Sequence, residues 1–331
     1  MLTEKSKESL LQNGYIIFAS DYGKKAVAES WTVRLKKQVK QIDQFKPFQN
    51  YNIVTGGISL TVDVDLDCDE TRLLADSFLV PTASMFGRES TPKSHRLYKV
   101  IDLTKKHTRV FWDFKGATES MLVEMRANDH YTMCGGQYDN QEKVVWTSDG
   151  KPTEITYDAL FKSCAKLAVA SVLLRKSPMP GAKMRNEYWK LAIASMWYGK
   201  VEEEDCIQIV EAVTTAHDDD VKERLGRVHD IYKRDATEQL EGLPTLAEKF
   251  NWKNDEVKDF KKLLLKITGR HLLPTYTGEF VKRIAYMMKQ KKYYDLEDKE
   301  MYDGESIDIK YAKDFDGKYT PLKFWKLHKD R

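Results

Sequence analysis

The chain has 331 residues, 41% hydrophobic and 32% charged, with a formal net charge of +3. That is length enough for two domains or one large one with ample core. So small a net charge excludes a globally basic nucleic-acid binder and leaves any basic surface local. Cys68, Cys134, Cys164 and Cys206 lack CxxC spacing, which argues against a zinc site and fits a reducing compartment. No apolar run approaches the ~20 residues of a membrane span. The opening MLTEKSKESLLQNG also lacks the apolar centre of a signal peptide. The expectation is a cytoplasmic protein with no membrane partner.

Up to about Trp146, short runs rich in Val, Ile, Phe, Trp and Tyr alternate with turn residues: GYIIFAS, NYNIVTGG, ISLTVDVD, HRLYKVIDL, TRVFWDF, SMLVEMRA and KVVWTS. These predict strands. From Tyr157 the period becomes helical in ALFKSCAKLAVASVLLRK. SPMPGAK breaks that helix. Amphipathic stretches EYWKLAIASMWYGK, EEEDCIQIVEAVTTA and DDDVKERLGRVHDIYKR follow, then GLPTLAEKF and VKDFKKLLLKITG. Acids at the start of the second and third suit helix N-termini. The expected fold class is therefore α+β, with a C-terminal all-α region.

Three stretches carry candidate chemistry. In TVDVDLDCDE, Asp63, Asp65 and Asp67 share one face of a strand and Val62, Val64 and Leu66 the other. Carboxylates so close repel one another, which a hard divalent cation such as Mg²⁺ or Mn²⁺ would relieve. The spacing leaves open both a metal site and a strand running into an acidic loop. An EF-hand fits less well, because the central glycine and the downstream glutamate are missing. The second stretch, FGRESTPKSHRLYKV, gathers Arg88, Lys93, Ser94, His95 and Arg96 before a strand. It suits phosphate binding or, equally, a solvated basic hairpin. The third is Glu124 in SMLVEMRAND. An acid in an apolar strand is rare unless paired; it is either the partner of Arg126 on the same face or a further metal ligand.

In this order the three stretches resemble the archaeo-eukaryotic primase superfamily, in its primase-polymerase branch of phage and plasmid replication proteins. VDVD matches the Asp-x-Asp motif, PKSHRLY the Ser/His motif and LVEMR the third acidic motif; the resemblance covers roughly residues 10 to 250. It implies an RRM-like primase-polymerase catalytic core over residues 1–176, a helical primase C-terminal domain over 177–290, and a tail or linker over 291–331. It implies DNA primase and DNA polymerase activity with two Mg²⁺ or Mn²⁺ ions on Asp63, Asp65 and Glu124. The register Asp65/Asp67 fits the same motif one step later, with Asp67 otherwise a supporting residue or the cap of the helix around TRLLADSF. Ser94, His95, Arg88, Lys93 and Arg96 would hold the triphosphate of a dNTP or NTP. Lys183, Arg185 and Lys190 would contact a single-stranded DNA template, and Tyr286, Tyr293 and Tyr294 interleave with cations further on. The setting would be the host cytoplasm for a viral protein. Relatives commonly continue into a helicase domain, yet no Walker A pattern occurs here, so either the chain is a fragment or its helicase is a separate protein. The sequence departs from the family where a Pro-Pro-Ser-x-His stretch is replaced by MCGGQYDNQEKVVW, with Gly135, Gly136, Gln137 and Tyr138, and His130 nearby. The competing functions are a metal-dependent nuclease or phosphohydrolase, and a non-catalytic module binding single-stranded nucleic acid.

Overall fold

Strands dominate as far as Ile155 because β-branched and aromatic residues alternate with polar ones there. The computed structural model describes residues 7–20, 50–115, 120–179, 181–217, 219–235 and 240–269, and the backbone of 284–287, 292–295 and 300–302. Helix α1 (Lys7–Gln12) leads into β1 (Ile17–Ser20), β2 (Asn50–Thr55) and β3 (Thr61–Leu66). Helix α2 (Asp69–Phe78) separates β3 from β4 (Ser84–Arg88) and β5 (Thr91–Val100). Then come β6 (Val110–Asp113), β7 (Met121–Arg126), β8 (His130–Gly135), β9 (Val144–Asp149) and β10 (Thr153–Ile155). The remaining described helices are α3 (Tyr157–Lys176), α4 (Arg185–Tyr198), α5 (Glu203–Ala216), α6 (Val221–Tyr232), α7 (Leu243–Lys249) and α8 (Asn254–Ile267). The described residues thus form an α+β fold with a helical C-terminal region.

The main sheet has the order β6-β7-β3-β5-β4-β9, antiparallel throughout, with β10 added parallel to β5. A smaller antiparallel sheet has the order β1-β2-β8. One face of the main sheet is apolar. Val62, Val64, Tyr98, Val123 and Met125 pack there against the helices. Helix α3 is buried on nearly every side, through residues such as Leu160, Cys164, Leu167, Ala168 and Val172. A helix apolar all round belongs in the middle, and α3 touches α2, α5, α8, β6 and β7. Trp189, Leu246 and Phe260 of the later helices join the same core.

The opposite face of the main sheet is divided. Around Leu97, Phe86 and Trp146 it is covered by Tyr51, Ile53 and Met133 of the smaller sheet, forming a second, smaller core. Beside that core the face is charged and holds Asp63, Asp65 and Glu124.

By contact the chain divides into the units Met1–Thr268 and Gly269–Arg331. The strands and the helices up to α8 therefore share one unit, and the boundary expected after residue 176 falls at the end of α3. In the second unit β11 (Ile284–Met287), β12 (Lys292–Asp295) and β13 (Glu300–Tyr302) form an antiparallel sheet. IAYM (Ile284–Met287), within the range 177–290 expected to be helical, is a strand whose backbone pairs with KYYD. Tyr286 and Tyr293 are register partners, and the side chains of Tyr286, Tyr293 and Tyr294 lie outside the described residues.

Candidate functional site

Register builds the site. β3 lies between β5 and β7, and directly opposed residues of antiparallel strands share a face. His95, Asp65 and Glu124 therefore form one row across three strands, and Leu97, Asp63 and Arg126 the next. Asp63 is fully buried. It accepts from His95 Nδ1 at 3.1 Å and from Arg126 Nη1 at 3.1 Å. Burial opposes its charge, but His95 and Arg126 outweigh burial and hold the carboxyl below its ordinary range. Asp63 is thus a supporting acid committed to two cations.

The acids that converge are Asp65, Asp67 and Glu124, each offering an oxygen within 4.8 Å of the others. This favours the Asp65/Asp67 register over the Asp63/Asp65 pair. Asp63 shares the face of Asp65 but lies one row away, opposite Leu97 and Arg126, whereas Asp67 lies just past the end of β3, where its N–H donates to the Leu122 carbonyl at 3.0 Å. Asp67 does not cap α2. Cys68 is the N-cap of that helix, and its N–H donates to Thr71 Oγ1 at 3.3 Å. The Asp67 Oδ2 atom is buried with no hydrogen-bond partner among the described residues. Burial, reinforced by Asp65, pushes its carboxyl up to about 7. A buried carboxylate oxygen without a partner, beside two further carboxylates, is the donor set a hard divalent cation takes.

Cations surround the acids. Arg126 donates through Nε to Glu124 Oε1 at 2.9 Å, through Nη2 to Glu124 Oε2 at 2.8 Å and Asp65 Oδ2 at 2.5 Å, and through Nη1 to Thr132 Oγ1 at 3.3 Å. Arg109 donates to Glu124 Oε1. Glu124 is thus paired with Arg126, as one sequence reading expects, and it also belongs to the acidic cluster that could hold a cation. His95 stacks on Phe86 with centroids 4.6 Å apart. Burial alone would lower its imidazole, but Asp65 and Asp63 outweigh burial and raise it.

These groups open into a cavity of about 590 Å³. Asp65 and Asp67 lie on its wall together with Arg72, Arg88, Arg109 and Arg126. Ser90, Thr91, Ser94, His95 and His130 add donors, and Tyr138 stands beneath the Arg88 guanidinium, 4.1 Å from its centre. Burial, helped by Arg109, lowers the His130 imidazole.

Of the residues expected to hold phosphate, Ser94, His95 and Arg88 line this cavity. Lys93 is exposed and is not part of the lining. Arg96 points the other way. Being one residue from His95 on a strand, it reaches the helix side, where its Nη1 meets Asp76 Oδ1 at 2.7 Å. Lys183 is exposed and Lys190 half-buried, both away from the cavity. Arg185 is buried and committed to Asp219 Oδ2 at 2.7 Å and to the Pro178 carbonyl, so it is a structural cation and not a phosphate contact. Sequence reading did not select Arg72, Arg109, Thr132 or Tyr138 as site residues. They come from a helix, a strand entry, the second sheet and the segment after β8, and no linear spacing ties these together. For Arg109, only its place one residue ahead of a strand was visible.

Comparison with protein-family models and with curated proteins finds no match to this chain. No helix among the described residues is long and apolar enough to cross a membrane.

Proposed function

We propose that this protein is a template-dependent nucleotidyltransferase, a DNA primase and polymerase, acting on a dNTP or NTP over single-stranded DNA. One observation carries the reading: a single cavity is lined by two acids of the cluster, Asp65 and Asp67, the latter with an unpartnered carboxylate oxygen, and by four arginines. A triphosphate substrate needs both features. The strand arrangement supports an RRM-like core. β3, α2 and β4 form a split β-α-β unit with β5 antiparallel between its strands, and the order β7-β3-β5-β4 is that of such units. The unit is modified, since β6 precedes β7 where a second helix is usual.

Asp65, Asp67 and Glu124 would hold Mg²⁺ or Mn²⁺, two ions in the full reading. When bound, these ions supply Lewis acidity, activating the primer 3′-hydroxyl and neutralising charge on the α-phosphate. The chain's own residues position the reactants. Arg88, Arg109, His95 and Ser94 donate to phosphate oxygens and favour the charge gathering on the departing pyrophosphate. Asp63 orients His95 through Nδ1 and keeps its proton there. The new bond joins the 3′-oxygen, whose proton leaves to solvent, to the α-phosphorus as the bond from that phosphorus to the oxygen bridging to the β-phosphate breaks and pyrophosphate departs. Lys183 and Lys190 remain candidates for template phosphates.

Incubation with labelled primer–template, nucleotides and Mn²⁺ or Mg²⁺ tests the reading. Extension that vanishes in Asp65→Asn is the expected result. Degradation of the labelled strand would replace the reading by a nuclease, hydrolysis of the nucleotide alone by a phosphohydrolase, and binding without turnover by a non-catalytic module.

A further inference from the structure

Arg126 presents a conflict within the proposed centre. Its three nitrogens satisfy Glu124 on both oxygens, Asp65 on Oδ2 and Asp63 on Oδ2. Glu124 Oε1 also receives Arg109, so both of its lone pairs are taken. Of the three converging acids, Asp67 alone keeps a buried oxygen without a partner. A divalent ion on this centre would thus share Asp65 and Glu124 with a guanidinium bonded to the same carboxylates. Like charges at such range, in a mostly buried site, repel strongly.

The side chain has somewhere to go. It is 18% exposed and lines the cavity, and its Nη1 is held by Asp63 and Thr132, which lie outside the converging triad. A swing of the guanidinium that keeps these Nη1 bonds would free Nε and Nη2 from Asp65 and Glu124 and turn them toward the cavity. We propose that Arg126 is a resident counter-cation which a divalent ion displaces from Asp65 and Glu124, delivering the guanidinium to the phosphate side of the cavity. This rests on the metal-dependent reading above and adds its regulation. Without metal the anion pocket lacks one donor, so nucleotide affinity is coupled to metal occupancy. Without Arg126 the acids would repel one another and spoil the apo fold, which explains why a competitor is retained inside a binding centre.

Arg126→Lys separates exchange from long-range charge. Lysine keeps the charge but its single ammonium cannot bridge three carboxylates as a fork does. Mn²⁺ binding without nucleotide, followed by the electron spin resonance of the free ion, should tighten about tenfold in Arg126→Lys, the effect of roughly one lost charge-assisted competitor. Equal or weaker binding by a folded Lys variant overturns the exchange. If that variant does not fold, ¹⁵N-arginine spectra of the unaltered protein decide. Mg²⁺ should strip hydrogen-exchange protection from the arginine Nε–H that Glu124→Gln also exposes and that persists in Arg109→Lys, since Arg109 donates its own Nε–H to Glu124, and unchanged protection overturns the proposal. If the unaltered protein binds no Mn²⁺ and shows no Mg²⁺ response, the metal reading itself falls and the exchange with it. Binding without exchange removes only the role of Arg126.

Discussion

Two buried ion networks in this molecule use similar residues to opposite ends. In the helical half, Arg185 and Arg224 both donate to Asp219 Oδ2, at 2.7 and 3.0 Å. Arg224 Nη1 also meets Glu223 Oε1 at 3.1 Å, so two arginines face two acids there, and further N–H groups reach the Pro178 carbonyl and Asn186 Oδ1. Burial would raise the Asp219 carboxyl, but the two arginines hold it at about 2. On the sheet, Asp63, Asp65, Asp67 and Glu124 face Arg126, Arg109 and His95. There the acids exceed the cations, and one buried oxygen is left over beside a cavity. A network that closes on itself holds the fold together. One that stays open at a cavity wall holds capacity for a ligand.

The comparison can be broken first at its closed end. Asp219→Ala strips two buried arginines of their shared partner and should cost about 3–5 kcal/mol, read by urea denaturation. Extension per folded molecule should not change. A loss below about 1 kcal/mol would show that the closed network is not structural. At the open end the pattern should reverse. Asp65→Asn keeps shape and an acceptor for Arg126, so metal-free stability should move little, while extension falls by about 10²-fold or more as reacting groups are misplaced. A stability loss that accounts for the activity loss would make the two networks alike.

A smaller effect separates two arginines eight residues apart. Arg88→Ala should weaken nucleotide affinity about tenfold, the worth of one charge-assisted bond, and leave single-stranded DNA affinity unchanged. Arg96→Ala should leave nucleotide affinity alone and lower stability, since Arg96 is buried against Asp76. Equal nucleotide effects in the two variants would show that strand alternation does not decide their roles.

That pair also shows what was legible in the sequence. The alternation Val62, Val64, Leu66 against Asp63, Asp65 was readable because it depends on chain period alone. So were the helical half and the place of Glu124 with Arg126. Arg96 was misplaced by reading a basic cluster as one surface when consecutive strand residues face opposite ways. The strand pattern favours Asp63 with Asp65, the pair that continues the strand directly, but the choice between Asp63 and Asp67 turns on cross-strand partners. His95 and Arg126 claim Asp63, and those pairings arise only once β5 and β7 flank β3. Arg72 and Arg109 were out of reach for the same reason. Arg185 read as a free cation because its partner Asp219 lies beyond the whole of α4 and α5.

The finest test of the open network is its pH dependence, through Asp67. Burial and Asp65 push this carboxyl up to about 7 in the folded protein, against an ordinary value of 3.8. The folded metal-free chain therefore holds a proton that the unfolded chain has released. Stability from this group is fully present below about pH 3.8, declines as pH rises, and has been lost once pH passes about 7. Other acids of the cluster titrate too, so the useful quantity is the difference between the unaltered protein and Asp67→Asn. Asparagine has no such proton, and the difference in stability should slope between these two values and flatten above the upper one. Metal binding reverses the sign, because a cation and a proton compete for the same oxygen. Mn²⁺ affinity should rise as pH climbs through about 7 and then level off. Calorimetry in two buffers of different ionisation enthalpy should show proton release on binding at pH 6 and almost none at pH 8.5. A flat affinity across that range would mean that Asp67 is already charged without metal, and that its leftover oxygen is solvated and not held open for an ion.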